Sequence, residues 1–283
     1  MRALSRFGIT SFVALAAVIA ATTSTWAAAE GGQPVDKQIS LQTPATDHMQ
    51  NIVDFHDFLL VIITGITLFV LGLLLWVMVR YNARANPKPA TWTHNTLIEV
   101  MWTLIPVLIL GLISVRSFRL LYEGEVVPPN VDLTVKAIGH QWNWSYEYPD
   151  QGIEIELAEM ATPEEAAAQG EPRLLAVKAG QKVVVPVGKV VRVIVTSTDV
   201  IHAWTIPAFG AKIDAVPGKL NETWFKANRE GVFYGQCSEL CGKSHAFMPI
   251  AVEVVSQERF DQWVAQKKTS AALDVAPTAL AAR

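Results

Sequence analysis

Residues 235–249 read Gly-Gln-Cys-Ser-Glu-Leu-Cys-Gly-Lys-Ser-His-Ala-Phe-Met-Pro, and they hold both cysteines of the 283-residue chain. Cys237, Cys241, His245 and Met248 fall within twelve residues. Two thiolates, an imidazole and a thioether form a soft donor set, which suits copper better than magnesium or calcium. A spacing of four admits an amphipathic helix, but Gly235, Gly242 and Pro249 interrupt it, and β-rich runs flank it on both sides. A loop between two strands is therefore expected. A disulfide between Cys237 and Cys241 is the other alternative. It would close a very small loop and constrain the unfolded chain little, and it would leave His245 and Met248 without a purpose.

One copper held by one cysteine, two histidines and an axial methionine would use only one of these thiols. A second thiolate lets both sulfurs bridge two copper ions. Charge shared by two metals lowers the reorganisation on gaining or losing an electron, which suits a relay. The loop supplies one histidine, so another must come from elsewhere. Of His48, His56, His94, His140 and His202, the last is placed best, because it follows one apolar β run and opens another.

Outward from this loop the pattern stays β. Val131, Leu133, Val135 and Ala137 alternate with polar neighbours, as do Trp142, Trp144, Tyr146 and Tyr148, and Val191, Val193 and Val195. Thr223-Trp224-Phe225, Val232-Phe233-Tyr234 and Ile250 to Val255 add further runs. Short alternating segments punctuated by Gly and Pro predict a sandwich or Greek-key barrel. Two helices interrupt it. Thr162-Pro163-Glu164-Glu165 has the capping-box spacing with proline at the first helical position. Ser256 opens a second helix with Phe260, Trp263 and Val264 on one face. Residues 269–283 are alanine-rich, without periodicity, and expected to be disordered.

Upstream the chemistry changes. Phe58 to Met78 is a run of 21 residues without a charge, long enough to span a hydrocarbon core of about 30 Å. A second span covers residues 97–115, with Pro106 and Gly111 inside it, as lipid-embedded helices tolerate. The segment between them carries Arg80, Arg84 and Lys88, whereas Asp47 to Asp57, leading into the first span, is acidic. The positive-inside rule puts the short loop in the cytoplasm and both chain ends outside, although Arg116 and Arg119 beyond the second span reduce the contrast. Residues 1–29 have the positive start, apolar core and small-residue end of an export signal, and residues 30–52 read as a flexible lead-in.

Composition agrees. Hydrophobic residues make up 51% and mean hydropathy is +0.28, which fits a chain partly in lipid. Net charge is −3, so general nucleic-acid binding is excluded. Two cysteines are too few for a disulfide scaffold.

The run from Cys237 to Met248, the upstream Asp199-Val-Ile-His202, and Gly139-His-Gln-Trp142-Asn-Trp144-Ser-Tyr-Glu-Tyr148 closely resemble subunit II of haem-copper cytochrome c oxidase, most of all the proteobacterial and mitochondrial type. The likeness extends from about Val53 to Trp263. It implies a membrane-anchored all-β protein: a two-helix transmembrane hairpin over 53–122, then a cupredoxin-like Greek-key β-barrel over 123–268 in the periplasm. The cell would be bacterial and the membrane its inner one.

The same likeness implies a CuA centre of two copper ions. Cys237 and Cys241 would bridge them, His202 and His245 would be terminal ligands, Met248 a weak thioether ligand, and Glu239 a ligand through its backbone carbonyl. The Glu239 carboxylate would bind magnesium (or manganese) shared with subunit I, a hard cation that suits an oxygen donor. Trp142 matches the aromatic residue through which electrons enter from cytochrome c; its other reading is one packed face of a strand. The family commonly has tyrosine where this chain has Asn143, so a docking contact by that side chain is not carried over.

Glu99 matches the mouth of a proton path into subunit I, the alternative being a solvated carboxylate at a span end. Glu147, Asp199 and Asp214 match acidic positions near the docking face. Residues 120–283 hold 20 acidic against 15 basic side chains, a balance that steers a basic cytochrome. The implied partners are subunits I and III, cytochrome c and lipid. The implied activity is electron transfer from cytochrome c to haem in subunit I, where oxygen is reduced to water with proton pumping. A quinol oxidase subunit would lack the copper ligands, and a membrane-tethered copper carrier would not need Trp142, Glu239 or Glu99.

Overall fold

The structure, a computed structural model, describes residues 32–275. The expected export signal and the last eight residues lie outside them. Two long helices come first: α1 (Asp47–Arg80) and α2 (Thr96–Glu125). Both are long and apolar enough to cross a membrane, and their large apolar side chains face outward. Thr46 caps α1 by accepting the Met49 N–H, and Asn95 caps α2 by accepting the Ile98 N–H. Pro106 sits inside α2.

The helices outrun the apolar spans expected over 58–78 and 97–115. At 34 residues, α1 is about 50 Å long, well beyond a hydrocarbon core. Its first turns pack on the β domain and on the end of α2: Met49 is buried, and His48 lies against Gly210 and, in α2, Gly124. The lead-in expected to be flexible over 30–52 is held at both ends. Gly32 accepts the Tyr234 N–H at 2.8 Å. Ala45 donates its N–H to the Ala208 carbonyl at 2.8 Å and accepts the Asn228 N–H at 2.9 Å, while the Thr46 hydroxyl donates to the Phe209 carbonyl at 2.8 Å. Paired backbone groups, with the Thr46 hydroxyl, fix this strap.

The β domain contains β1 (Leu133–His140), β2 (Asn143–Tyr148), β3 (Ile153–Ala158), β4 (Val183–Pro186) and β5 (Val191–Ser197). It continues with β6 (His202–Ile206), β7 (Ala211–Ala215), β8 (Asn221–Phe225), β9 (Gly231–Gln236) and β10 (Pro249–Val255). One sheet runs β3-β2-β1-β5-β8 and the other β4-β10-β9. The β1–β5 and β4–β10 pairs are parallel, and the other pairs in these sheets are antiparallel. The β6–β7 ribbon packs β6 on β9 and β7 on β8, closing one side of the sandwich.

Alternating residues of the two sheets meet in one core that includes Trp144, Tyr146, Tyr148, Trp204, Phe209, Phe225, Phe233 and Ile250. The capping box predicted at Thr162 is present and opens α3 (Pro163–Gln169), which ends at Gly170 in the left-handed conformation. The last helix, α4, spans Gln257–Val275 and so runs into the stretch expected to be disordered from 269 onward. Phe260 in its first turn is buried, and Trp263 packs on Tyr148 with ring centres 5.1 Å apart and planes tilted by 56°. With that first turn anchored, helix propagation costs little.

Candidate metal centre

Strand β9 delivers the chain into the cysteine loop and β10 takes it away, as the flanking β runs predict. The neck is closed by the Cys237 N–H donating to the Met248 carbonyl at 3.2 Å, and a short 3₁₀ turn over His245–Phe247 carries the second histidine. His202 opens β6, and its side chain is fully buried.

The loop brings the six expected donors together. The two sulfurs stand 3.9 Å apart and both cysteines are free, far beyond the roughly 2.05 Å of a disulfide. Around Cys237 Sγ lie His202 Nδ1 at 3.8 Å and the Glu239 carbonyl oxygen at 3.3 Å. Around Cys241 Sγ lie His245 Nδ1 and Met248 Sδ, each at 3.5 Å. Each thiol therefore has its own imidazole and its own weaker donor. Cys237, Cys241, Met248 and His202 are all buried, so these soft groups are withdrawn from water. The donors fit soft cations.

Burial alone would raise the Cys237 thiol. The His202 imidazole and backbone groups of Glu239 and Ala203 overcome it and hold this thiol below its ordinary range. Burial raises Cys241, and the neighbouring Cys237 sulfur raises it further. His202 is held above its usual value: burial opposes the charge, but Cys237 and Asp199 outweigh it. The metal-free centre thus holds protons that a thiolate-binding metal must displace.

The surrounding residues fix the candidate ligands. His202 Nε2 lies 2.8 Å from Asp199 Oδ1, and the same oxygen accepts the Val200 N–H at 2.6 Å. A carboxylate on Nε2 holds the proton there and leaves Nδ1 free toward Cys237. The His202 ring packs on Trp144 with centres 5.9 Å apart and presses on Gly139, where a Cβ would lie 2.8 Å from His202 Cδ2. Trp144, Tyr146 and Tyr148 form the packed face of β2. Trp142 precedes that strand, half-buried, and donates its indole N–H to the Cys241 carbonyl at 3.2 Å. Gly242 passes beneath it at φ +126°, with room for no Cβ on Trp142 Cζ2 at 2.9 Å.

The remaining expected residues lie apart from the sulfurs. Glu239 is exposed while its carbonyl faces Cys237. Glu147 pairs with Lys136 at 3.0 Å on neighbouring strands, and Asp214 is exposed on β7. Glu99 accepts the Asn95 N–H at 3.3 Å at the start of α2, at the opposite end of that helix from the β domain. Asp199, expected at the docking face, is committed to His202 and to the Gln141 N–H at 2.6 Å. Its position three residues before a candidate ligand histidine was the available signal. For Gln141 it was the place beside Trp142.

The chain matches the family described as "Cytochrome C oxidase subunit II, periplasmic domain" over residues 133–255 and its "transmembrane domain" over residues 34–120. It is 50% identical over 240 residues to a probable cytochrome c oxidase subunit 2 of Rickettsia bellii, covering 85% of this chain and 88% of that one. It is 42% identical over 254 residues to cytochrome c oxidase subunit 2 of Cereibacter sphaeroides, covering 84% and 82%. A solved periplasmic domain of cytochrome oxidase subunit II from Bradyrhizobium japonicum is 56% identical, covering 51% of this chain and 99% of that domain with a TM-score of 0.46. The chain belongs to the cytochrome c oxidase subunit II family, a subunit of the haem-copper terminal oxidase complex.

Proposed function

We propose that this chain is the electron-entry subunit of its oxidase and that its cysteine loop holds a dinuclear CuA centre. One observation carries the reading: two free buried thiols 3.9 Å apart, with a separate imidazole Nδ1 at 3.8 Å and 3.5 Å from each. Bound there, a copper pair would supply one-electron relay chemistry with little reorganisation. Cys237 and Cys241 would bridge it, His202 and His245 would close its ends, and Met248 and the Glu239 carbonyl would act as weak ligands.

The protein's own residues do the rest. Asp199 keeps the His202 proton on Nε2. Electrons from cytochrome c enter at Trp142, whose indole N–H reaches the Cys241 carbonyl. The acidic balance of the outer domain, with Glu147 and Asp214 exposed or half-exposed, attracts a basic donor cytochrome. The carboxylate of Glu239 would hold a magnesium or manganese ion shared with subunit I, Glu99 stands at the mouth of a proton path, and subunit III completes the assembly. The loop carrying Arg80, Arg84 and Lys88 lies in the cytoplasm of a bacterium. Both chain ends lie in its periplasm. Electrons pass on to haem in subunit I, where oxygen is reduced to water and protons are pumped.

The test is paramagnetic resonance of the detergent-solubilised full chain after copper loading. An unpaired electron shared equally by two coppers is expected to give a seven-line hyperfine pattern with two coppers per chain. A four-line pattern, or one copper per chain, would refute the dinuclear assignment. A further expected result concerns Trp142→Phe in the assembled oxidase. It slows electron entry from cytochrome c by at least tenfold, on the order of 1.4 kcal/mol, and leaves the hyperfine pattern in place. Unchanged entry kinetics, or a lost pattern, would assign Trp142 to structure alone.

A further inference from the structure

We infer that Gln141 is a positioning residue of the metal centre, the bracket that ties its two halves together. The inference rests on the copper-binding reading above. Gln141 makes two hydrogen bonds in opposite directions. Its side-chain Nε2 donates to the Cys241 carbonyl at 2.8 Å, a closer contact than the Trp142 indole makes to the same oxygen at 3.2 Å. Its main-chain N–H donates to Asp199 Oδ2 at 2.6 Å, and the other oxygen of that carboxylate holds His202 Nε2 at 2.8 Å. One residue is therefore one hydrogen bond from the backbone of Cys241 and two from the imidazole of His202. These groups reach the centre from different strands: His202 opens β6, and Cys241 lies in the loop between β9 and β10.

The chemistry favours an amide here. The Cys241 backbone is followed by Gly242 at φ +126°, a position with little steric restraint of its own. A neutral donor pins that segment without placing a charge beside the thiolates, whereas a lysine or arginine would add a cation. Gln141 itself is exposed, so its amide could be satisfied by water, and its engagement with Cys241 is not forced by burial. Hydrogen-bonding partners that orient a metal ligand are worth about 10–100-fold in metal affinity. Because the main-chain bond survives side-chain replacement, the effect should fall on the Cys241 half and spare the His202 half.

The experiment uses the full chain loaded with copper, challenged with an excess chelator, and followed by copper release and by paramagnetic resonance. Gln141→Leu is expected to release copper ten- to a hundredfold faster and to make the hyperfine pattern unequal between the two coppers. Gln141→Glu keeps the size and polarity but removes the donor, and it should behave the same way if the leucine variant fails to accumulate. In the metal-free chain, alkylation of Cys241 should accelerate more than that of Cys237. Release within twofold of the unsubstituted chain, with an unchanged pattern, overturns the role of Gln141. An unsubstituted chain that never shows two equivalent coppers would instead overturn the functional reading itself.

Discussion

Cys241→Ser is expected to abolish the seven-line pattern and to cut electron transfer from cytochrome c by at least about a hundredfold, since losing a ligand should exceed the 10–100-fold effect of losing a ligand's partner. The geometry explains why this thiol matters most. Cys241 Sγ stands within 3.5 Å of both His245 Nδ1 and Met248 Sδ and 3.9 Å from Cys237 Sγ. A hydroxyl there is a hard, reluctantly ionised donor, and it strands the imidazole and the thioether together. What survives is Cys237 with His202 and the Glu239 carbonyl, a set for one ion at most. The counterpart Cys237→Ser leaves Cys241, His245 and Met248, a soft trio that can still hold one copper. The measurement is copper per chain together with the hyperfine pattern for both variants. Retention of two equivalent coppers in Cys241→Ser would show that this sulfur is not a bridge.

The cysteine loop was legible because its information is local. Four donors within twelve residues, bounded by Gly235 and Pro249, announce both the ligand class and a turn between strands. The two apolar spans and the alternating strands were legible for the same reason, since each is a periodic pattern within one segment. What could not be read depends on contacts between distant segments. The strap from Gly32 to Thr46 is held mainly by backbone bonds to Ala208, Asn228 and Tyr234, with the Thr46 hydroxyl on Phe209, and backbone groups carry no sequence signature. The helical start at Asp47 comes from packing on the β domain, where Met49 is buried, whereas α4 runs on to Val275 past its anchored first turns. Gln141 lies inside the run that carries the resemblance, beside Trp142, but its bond to Cys241 one hundred positions away required the fold. Asp199 shows a partial case: its acidity was visible, while its commitment to His202 and Gln141 required the fold.

Gly235→Ala should be the most destabilising single methyl in the β domain, and its cost should appear at the metal centre. Gly235 lies on β9, two residues before Cys237, paired with Ile250 of β10. A Cβ built there would stand 1.7 Å from the Thr205 carbonyl oxygen and 2.8 Å from its carbon. Both obstacles are backbone, so no rotamer change relieves them. Glycine inside a strand commonly marks such a close backbone approach. Relief requires β9 and β6 to separate. Thr205 belongs to β6, whose first residue is His202, so separation draws the imidazole away from Cys237 as it disturbs the core around Phe233 and Ile206.

Overpacking in a well-filled interior costs typically 1–3 kcal/mol, and a main-chain obstacle belongs at or above the top of that range. For a domain of this size about 3 kcal/mol corresponds to a fall of roughly 6–12 °C in melting temperature. The measurement is thermal loss of the copper absorption in the full chain, with copper content before heating. We expect a lower midpoint and less than the full pair of coppers. A midpoint within two degrees of the unsubstituted chain, with two coppers retained, would mean that β6 and β9 are not in fixed contact and that His202 is positioned independently of the cysteine loop.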